Sequence, residues 1–418
     1  MKKKRRNKKR TLNIIVTILI VCVCILAAAG VFFVHSHFGS NNNAETENVV
    51  KDDVENNETE NNKTELSTEQ QVEKLLDSLT LEEKVAQLFI ITPEQLTPEY
   101  NPVIAAGDAT KAAFDNYPVG GIIYLEQNLV SPDQTKTMLT NIQKYSMDRL
   151  NIPMFLCIDE EGGQVSRLAN NKGFDVPVFG NMSEIGKSGD IKKAENVGKT
   201  IGTYLSDYGF NTDFAPVADI LLNEDNQVVK VRAFGEEPDI VTKMAGAVNK
   251  GLRSENILTS YKHFPGHGDT TADTHEGYAF SNKTLEEMYE CELIPFIDGI
   301  KNNVPFMMVG HISFPNIIGD NTPASLSKVV INDLLIEELG YNGIVITDAL
   351  NMGAISKEYS SSEAALKAIE AGVDMILMPE NFNEAYDGII KAVKNGTISE
   401  ERINKSVYKI MNTKLTIL

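Results

Sequence analysis

Short apolar runs alternate with longer amphipathic segments along most of the chain. Eight of these runs are mostly apolar on both faces, which is typical of parallel strands covered by helices. They begin at or near Leu88, Gly120, Ile152, Phe210, Ile257, Val304, Gly343 and Asp374. Segments between them, such as AENVGKTIGTYLSDYG and SEAALKAIEAG, have helical spacing and end in glycine. Eight such units predict an α/β fold, a closed (β/α)8 barrel rather than an open doubly wound sheet.

Two helices are predicted to precede the first strand. The segment STEQQVEKLLDSL has apolar residues at helical spacing, and Thr80 with Glu83 forms a capping box for the helix LEEKVAQL. No glycine-rich phosphate loop follows the first apolar run, although a dinucleotide-binding sheet would need one. We therefore assign residues 71–418 to one barrel domain.

The amino terminus differs from this domain. Residues 1–10 are a basic segment with eight Lys or Arg, and residues 11–34 are an apolar stretch without a charge. The stretch is long enough to span, as a helix, a bilayer core roughly 30 Å thick. The basic segment predicts a cytoplasmic N-terminus and an extracellular body. A cleaved signal sequence that yields a secreted protein is the alternative, because residues 27–30 are small enough for a cleavage site.

Charge beyond the basic segment is strongly negative. Residues 35–70 are rich in Asn and Glu and poor in large apolar side chains, so we predict a disordered acidic linker. The formal charge of the chain is −19, and subtracting the eight N-terminal basic residues leaves about −27. A body this acidic would repel nucleic-acid phosphates, so no nucleic-acid partner is expected.

The four cysteines do not form a disulfide framework. Cys22 and Cys24 lie in the apolar stretch, whereas Cys157 and Cys291 lie far apart in apolar or helical contexts. A bridge between Cys157 and Cys291 could form outside the cell, but the pattern favours buried free thiols.

Polar residues follow several of the predicted strands. The third run leads into DEEGGQVSR, the fifth into KHFPGHGDT, the sixth into GHISFP and the seventh into TDALNM. In a (β/α)8 barrel the carboxyl ends of all strands meet at one face, where functional residues lie. Carboxylates, histidines, Arg167 and Lys262 should therefore gather on one rim of the barrel.

The segment KHFPGHGDTTADTHEG carries three of the six histidines. His263 and His267 are four residues apart, which suits two zinc ligands on a helix, but Pro265 and two glycines exclude that helix. Asp273 and His275 are two apart, so an extended loop would project them to one side. A carboxylate there can raise the pKa of the imidazole and produce an acid that works near neutral pH. The alternative is a turn cap beside a surface histidine.

Three more sites suit carbohydrate chemistry. Asp348 follows the strand GIVIT and could attack the anomeric carbon of a sugar, or could cap the helix that ALNMGAI begins. Asp159 and Arg167 flank a Gly-Gly turn, where they could hold a polyol or form an ion pair that only fixes the loop. Arg232 lies among the turn residues of VRAFGEEPD, and its signal is less specific.

Five motifs together resemble those of family 3 glycoside hydrolases, specifically the β-N-acetylglucosaminidase branch. They are IDEEGGQVSRL, NTDFAPVADI, VRAFGEEPD, KHFPGHGDTTADTH and GIVITDALNM, and the resemblance covers residues 71–418. It implies a TIM barrel and a retaining mechanism with Asp348 as nucleophile and His275, paired with Asp273, as general acid and base. It implies no metal or cofactor, and it implies a subsite for a terminal N-acetylglucosamine formed by Asp159, Arg167, Arg232, Lys262, His263 and Met352.

The chain departs from the family pattern in some respects. Gln164 stands where relatives often have Arg. Lys262 and His263 are adjacent, so both can reach one sugar only if the strand bulges or ends there. Many relatives carry a second α/β domain after the barrel, whereas this chain is expected to be a single catalytic domain. His267 is left with a structural role in the turn.

The leading hypothesis is an exported, membrane-tethered and monomeric exo-β-N-acetylglucosaminidase that acts on cell-wall-derived or other glycans. A β-glucosidase or a β-N-acetylglucosaminide phosphorylase of the same family is the enzymatic alternative. The phosphorylase is included because a neutral imidazole would not repel a phosphate acceptor. An inactive sugar-binding surface protein would be expected to lack Asp348, Asp273 or His275, and all three are present.

Overall fold

Eight parallel strands form the centre of the fold. The computed structural model describes residues 66–270 and 279–418. The barrel strands are β1 Phe89–Ile91, β2 Gly121–Ile123, β3 Phe155–Ile158, β4 Thr212–Asp213, β5 Leu258–Phe264, β6 Phe306–Val309, β7 Ile344–Thr347 and β8 Ile376–Leu377. Neighbours in sequence pair from β1 to β7, and β1 also pairs with β8. A bridge between Ile346 and Met375 closes the (β/α)8 barrel, which confirms the predicted fold class.

Helices surround the barrel. The α-helices are Thr68–Ser78, Leu81–Ala86, Pro93–Leu96, Asp108–Asn116, Pro132–Leu150, Met182–Ser188, Ile191–Tyr208, Pro238–Arg253, Leu285–Glu290, Leu293–Lys301, Pro315–Ile318, Gly353–Ser356, Ser361–Ala371, Phe382–Lys394 and Glu400–Ile417. A π-helix covers Val329–Glu338, and short 3-10 helices cover Glu126–Asn128 and Ala324–Leu326. Outside the barrel, Glu160–Gly162 pairs with Val165–Ser166, and Ala279–Phe280 pairs with Ile312–Ser313.

Local signals in the sequence account for several element ends. Thr80 and Glu83 form the predicted capping box, in which each side chain accepts a hydrogen bond from the backbone N–H of the other residue. The helix Ile191–Tyr208 ends at Gly209, whose φ of 98° lies in the left-handed region. The same helix packs closely on Pro238–Arg253, because a Cβ on Gly198 would lie 2.2 Å from the Val248 carbonyl oxygen.

Aromatic and aliphatic side chains fill most of the barrel, and a buried lysine packs among them. The rings of Phe155 and Phe306 meet edge to face, with centroids 5.2 Å apart. Lys414, from the last helix, is fully buried beneath them, with its Nζ 4.8 Å from the centroid of the Phe155 ring. Its ammonium group donates to Gln87 Oε1 at 2.9 Å. Burial lowers the pKa of Lys414 to about 7.

Some sequence predictions fall outside the described residues. These are the basic segment, the apolar stretch 11–34, most of the acidic linker, Asp273 and His275. Within the described part of the chain, no helix combines the length and apolar character needed to cross a membrane. Cys157 is buried and Cys291 is half-buried, and both are free thiols, which excludes the alternative of a bridge between them.

Candidate active site

A cavity of about 360 Å³ lies at the carboxyl ends of the barrel strands. Seven predicted residues line it: Asp159, Arg167, Arg232, Lys262, His263, Asp348 and Met352. They come from the carboxyl-terminal part of β5 and from loops that follow β3, β4 and β7, so the barrel brings together residues that are up to 193 positions apart in sequence. The other two predicted residues, Asp273 and His275, lie outside the described residues.

A buried ion-pair network forms one wall of the cavity. Lys262 Nζ lies 2.8 Å from Asp159 Oδ1 and 2.7 Å from Glu161 Oε1. Arg232 donates two hydrogen bonds to the same Glu161, from Nε to Oε2 at 2.8 Å and from Nη2 to Oε1 at 2.6 Å. Burial favours the neutral form of Glu161, but Arg232 and Lys262 outweigh burial and hold its pKa far below the usual range. The network therefore fixes Lys262 as a cation beside Asp159.

Glu161 was missed by the sequence analysis. It is the third acid of the DEEGG turn, and a single sequence does not distinguish it from its neighbours. Glu160 points elsewhere, because it accepts from the backbone N–H groups of Leu168 and Ala169 and from the Tyr204 hydroxyl. Burial raises the pKa of Glu160. The two adjacent carboxyl groups therefore have different roles. Glu161 pairs with Arg232 and Lys262 in the site, whereas Glu160 holds the backbone of the following loop.

Asp159 and Arg167 form only a loose ion pair. Arg167 Nη2 lies 3.5 Å from Asp159 Oδ2, and both side chains line the cavity. The buried Nε of Arg167 has no hydrogen-bond partner among the described residues. The ion pair therefore leaves the Nε–H donor of Arg167 without a partner in the described part of the chain.

Lys262 and His263 both reach the cavity although they are neighbours in β5. The pairing of β5 with β6 changes register between Tyr261 and Phe264, which confirms the expected irregularity at the strand end. The Lys262–His263 peptide bond is cis.

Asp219 organises the two histidines of this segment. Its Oδ2 lies 2.7 Å from His263 Nδ1, and its Oδ1 accepts from the backbone N–H of His267 at 2.7 Å. Burial favours the neutral form of Asp219, but His263 outweighs burial and the pKa of Asp219 is lowered. An anionic acceptor at Nδ1 fixes the orientation of the His263 ring. Asp219 lies in the motif NTDFAPVADI, but no signal in the sequence assigned it a role in the site.

Asp348 lies at the end of β7 and does not cap a helix. The following helix is Gly353–Ser356, and Met352 is its N-cap residue. Asp348 Oδ1 accepts instead from the N–H of Ala349 at 2.8 Å. Burial favours the neutral form of Asp348, but the positive potential of His263 and His311 outweighs burial, so its pKa is lowered. The predicted alternative, an N-cap, was wrong, and an ionised carboxylate faces the cavity.

The residue after Asp348 is held by His311. The Nε2–H of His311 donates to the Ala349 carbonyl at 3.0 Å, and its Nδ1 lies 2.7 Å from Ser325 Oγ. His311 is fully buried, so it links the GHISFP segment after β6 to the loop that carries Asp348. This contact restrains the loop that carries the Asp348 carboxylate.

Apolar side chains also line the cavity. They are Ile123, Leu125, Val165, Val228, Met308, Met352, Leu377 and Met378. A cavity lined by both charged and apolar groups suits a sugar, which has hydroxyl groups and apolar C–H faces.

His267, which was predicted to have a structural role in the turn, also lines the cavity. Its ring lies at 71° to that of His263, with centroids 5.8 Å apart. In the described residues, no group of three or more His, Cys, Asp or Glu side chains is arranged to hold a metal ion. Gln164, the departure from the family pattern, is exposed and does not line the cavity.

The fold and the site define a (β/α)8-barrel protein with a carboxylate-bearing, sugar-sized cavity at the carboxyl ends of its strands. Residues 80–413 match the glycosyl hydrolase family 3 N terminal domain, and the chain belongs to this family.

Similar proteins carry names that confirm the resemblance. Beta-hexosaminidase A of Pseudoalteromonas piscicida is 33% identical over 323 residues, which are 71% of this chain and 53% of that protein. Beta-hexosaminidase LpqI of Mycobacterium tuberculosis is 31% identical over 345 residues, which are 80% of this chain and 83% of that protein. This chain therefore spans about half the length of the first relative and most of the second.

A solved structure shows the same architecture. It is a glycoside hydrolase family 3 beta-N-acetylglucosaminidase from Paenibacillus sp. str. FPU-7, which is 36% identical with a TM-score of 0.75. The match covers 81% of this chain and 63% of that chain.

Proposed function

We propose that the protein is a retaining exo-β-N-acetylglucosaminidase that removes terminal β-linked N-acetylglucosamine from cell-wall-derived or other glycans. The observation that carries this proposal is the meeting of seven predicted side chains, from four separate motifs, in one cavity. A volume of about 360 Å³ is at the lower end of the range for ligand pockets, roughly 300–1,000 Å³. Such a cavity suits one terminal sugar rather than an internal segment of a chain.

Asp348 is the nucleophile in this proposal. Its lowered pKa keeps the carboxylate ionised at neutral pH, as attack on the anomeric carbon requires. In the first step a bond forms between an Asp348 oxygen and the anomeric carbon, while the bond to the leaving oxygen breaks. In the second step water displaces Asp348, so two inversions retain the configuration.

His275 supplies and removes the proton. As general acid, it protonates the leaving oxygen; as general base, it takes a proton from the attacking water. Asp273 holds the imidazole and raises its pKa. These roles rest on the resemblance of the motif KHFPGHGDTTADTH to its counterpart in the family, and the activity of variants tests them.

The cavity has groups for both faces of the sugar. Asp159, Lys262 and Arg167 present an acceptor and donors for hydroxyl groups. Met352 and Met308 also line the cavity, where they could shield the methyl group of an acetamido substituent from water. The names of the hexosaminidase relatives support the N-acetylated substrate.

We also propose that the protein is an exported monomer that residues 11–34 tether to the cell membrane, with the catalytic domain outside. The support is the uncharged apolar stretch that follows eight basic residues. Deletion of residues 1–34 should move the activity from the membrane fraction to the soluble fraction. Activity that is soluble in the unaltered protein would contradict the tether.

Hydrolysis of 4-nitrophenyl β-N-acetylglucosaminide tests the activity. Asp348→Asn should lower kcat on the order of 10⁴-fold or more, because it removes the nucleophile. His275→Ala should lower kcat by about 10²- to 10⁴-fold, the usual contribution of a general acid. Asp387→Asn, on an exposed position of the helix Phe382–Lys394, is the control and should retain activity.

Three further measurements separate the alternatives. Faster turnover of the β-glucoside than of the acetylated substrate would favour a β-glucosidase. Formation of sugar 1-phosphate in added phosphate would favour a phosphorylase. A chelator should leave the rate unchanged, and undiminished turnover by Asp348→Asn would refute the proposed nucleophile.

A further inference from the structure

His267 lines the cavity and has a buried ring nitrogen without a partner among the described residues. The side chain is 2% exposed and lines the cavity with Lys262 and His263. Its Nε2 has no hydrogen-bond partner among the described residues. More than about 90% of buried polar atoms are paired in native structures, so an unpaired atom beside a ligand cavity points to a ligand contact.

The position of His267 in its turn does not depend on Nε2. Its backbone N–H donates to Asp219 Oδ1 at 2.7 Å, and its carbonyl accepts from Asn226 Nδ2 at 2.9 Å. The ring Nδ1 lies 3.0 Å from Thr270 Oγ1. The backbone and Nδ1 therefore provide the structural contacts, and Nε2 remains available for another role.

The ring is neutral under ordinary conditions. Burial, helped by the nearby His263, lowers the pKa of His267 to about 4. Thr270 Oγ1 also lies 3.1 Å from the His267 carbonyl, to which its hydroxyl can donate. Nδ1–H then donates to Thr270 Oγ1, and Nε2 is left as an unpaired acceptor. In the other tautomer Nε2 is a donor, and a sugar hydroxyl group can pair with either form.

We propose that His267 Nε2 binds a hydroxyl group of the terminal sugar and contributes to the specificity of the subsite. This contact is neutral, in contrast to the charged contacts offered by Lys262, Asp159 and Arg167. It adds directional recognition without altering the charge around Asp348. The inference rests on the proposed function, because it names a further residue of the same subsite.

Two variants of His267 isolate the contact. His267→Leu removes both ring nitrogens and keeps an apolar side chain, whereas His267→Gln retains a polar group near the position of Nε2. We expect the leucine variant to lower kcat/KM for the nitrophenyl N-acetylglucosaminide by about 10- to 100-fold, as for a buried group left unpaired. The glutamine variant should recover part of this loss. Thermal unfolding of each variant monitors the fold.

Deoxy substrates then provide a readout that a structural role would not affect. Nitrophenyl N-acetylglucosaminides that lack the hydroxyl group at C3, C4 or C6 are compared on the wild type and on His267→Leu. We expect the loss of one of these hydroxyl groups to lower kcat/KM in the wild type but to have little further effect in His267→Leu. The missing hydroxyl group and the substitution would each remove the same hydrogen bond, so their effects should not add. His267→Phe is the second variant, in case the leucine variant does not fold.

The possible failures are distinguishable. A wild type that does not hydrolyse the acetylated substrate would refute the proposed function and this inference with it. An active wild type whose His267 variants keep full kcat/KM would refute only the inference. Equal losses for every deoxy substrate in the wild type and the variant would also refute the contact.

Discussion

Replacement of Lys414 by Met should stabilise the protein most at low pH. Lys414 is fully buried, and in the described part of the chain its ammonium group donates one hydrogen bond, to the neutral Gln87 Oε1. Burial lowers its pKa to about 7 from the ordinary 10.5. Each pKa unit corresponds to about 1.4 kcal/mol, so the charged ammonium costs about 5 kcal/mol of folding free energy when both states are protonated.

The pH dependence follows from the direction of this shift. Between the folded pKa of about 7 and the unfolded value of 10.5, the unfolded state binds more protons than the folded state. Stability contributed by this group therefore rises with pH across that window. The cost is about 5 kcal/mol near pH 6.5 and falls to about 2 kcal/mol near pH 9.

Urea unfolding of the wild type and Lys414→Met at these two pH values measures the effect. Methionine keeps the apolar stem, but the variant loses the bond to Gln87 and the contact with the Phe155 ring, each about 1 kcal/mol. We therefore expect a net gain of about 3 kcal/mol near pH 6.5, and close to none near pH 9. Lys405→Met, an exposed change on the same helix, is the control and should show no such pH dependence. A gain that is equal at both pH values, or a loss at both, would refute the reasoning.

Two further changes test the contacts behind the site. Glu161→Gln leaves the cations of Lys262 and Arg232 without their shared carboxylate, so we expect a loss of about 3–5 kcal/mol of stability, measured by urea unfolding. An unchanged urea midpoint for Glu161→Gln would contradict this expected loss of stability. Asp219→Asn removes the anionic acceptor that orients the His263 ring. We expect it to lower kcat/KM by about 10- to 100-fold, which is the loss seen when a metal-binding histidine loses its hydrogen-bond partner. An increase in stability without loss of activity would contradict that role.

Much of the fold was predictable because its signals are local. The eight apolar runs and the capping box of Thr80 and Glu83 depend on neighbouring residues, and all appear in the structure. The rim was predictable because the carboxyl ends of parallel strands must meet at one face. Asp159, Lys262 and Asp348 were therefore identified from their places after strands.

Contacts between distant segments were less predictable. Glu161 and Arg232 are 71 residues apart, and Asp219 and His263 are 44 apart. Nothing near Asp219 in the sequence indicates a histidine partner. The alternative of Asp348 as a helix cap was wrong because the chain continues for four residues before the helix begins at Gly353.

The sequence by itself determined the barrel, the family and the residues at the rim, because periodicity and motif spacing are properties of short segments. Only the tertiary structure decided which of those residues share a cavity, and that Asp159 and Glu161, but not Glu160, pair with Lys262. It also decided that His267 lines that cavity and that its buried Nε2 has no partner among the described residues. The physical reason is that partners for buried polar groups come from other strands, and the closed barrel brings those strands together.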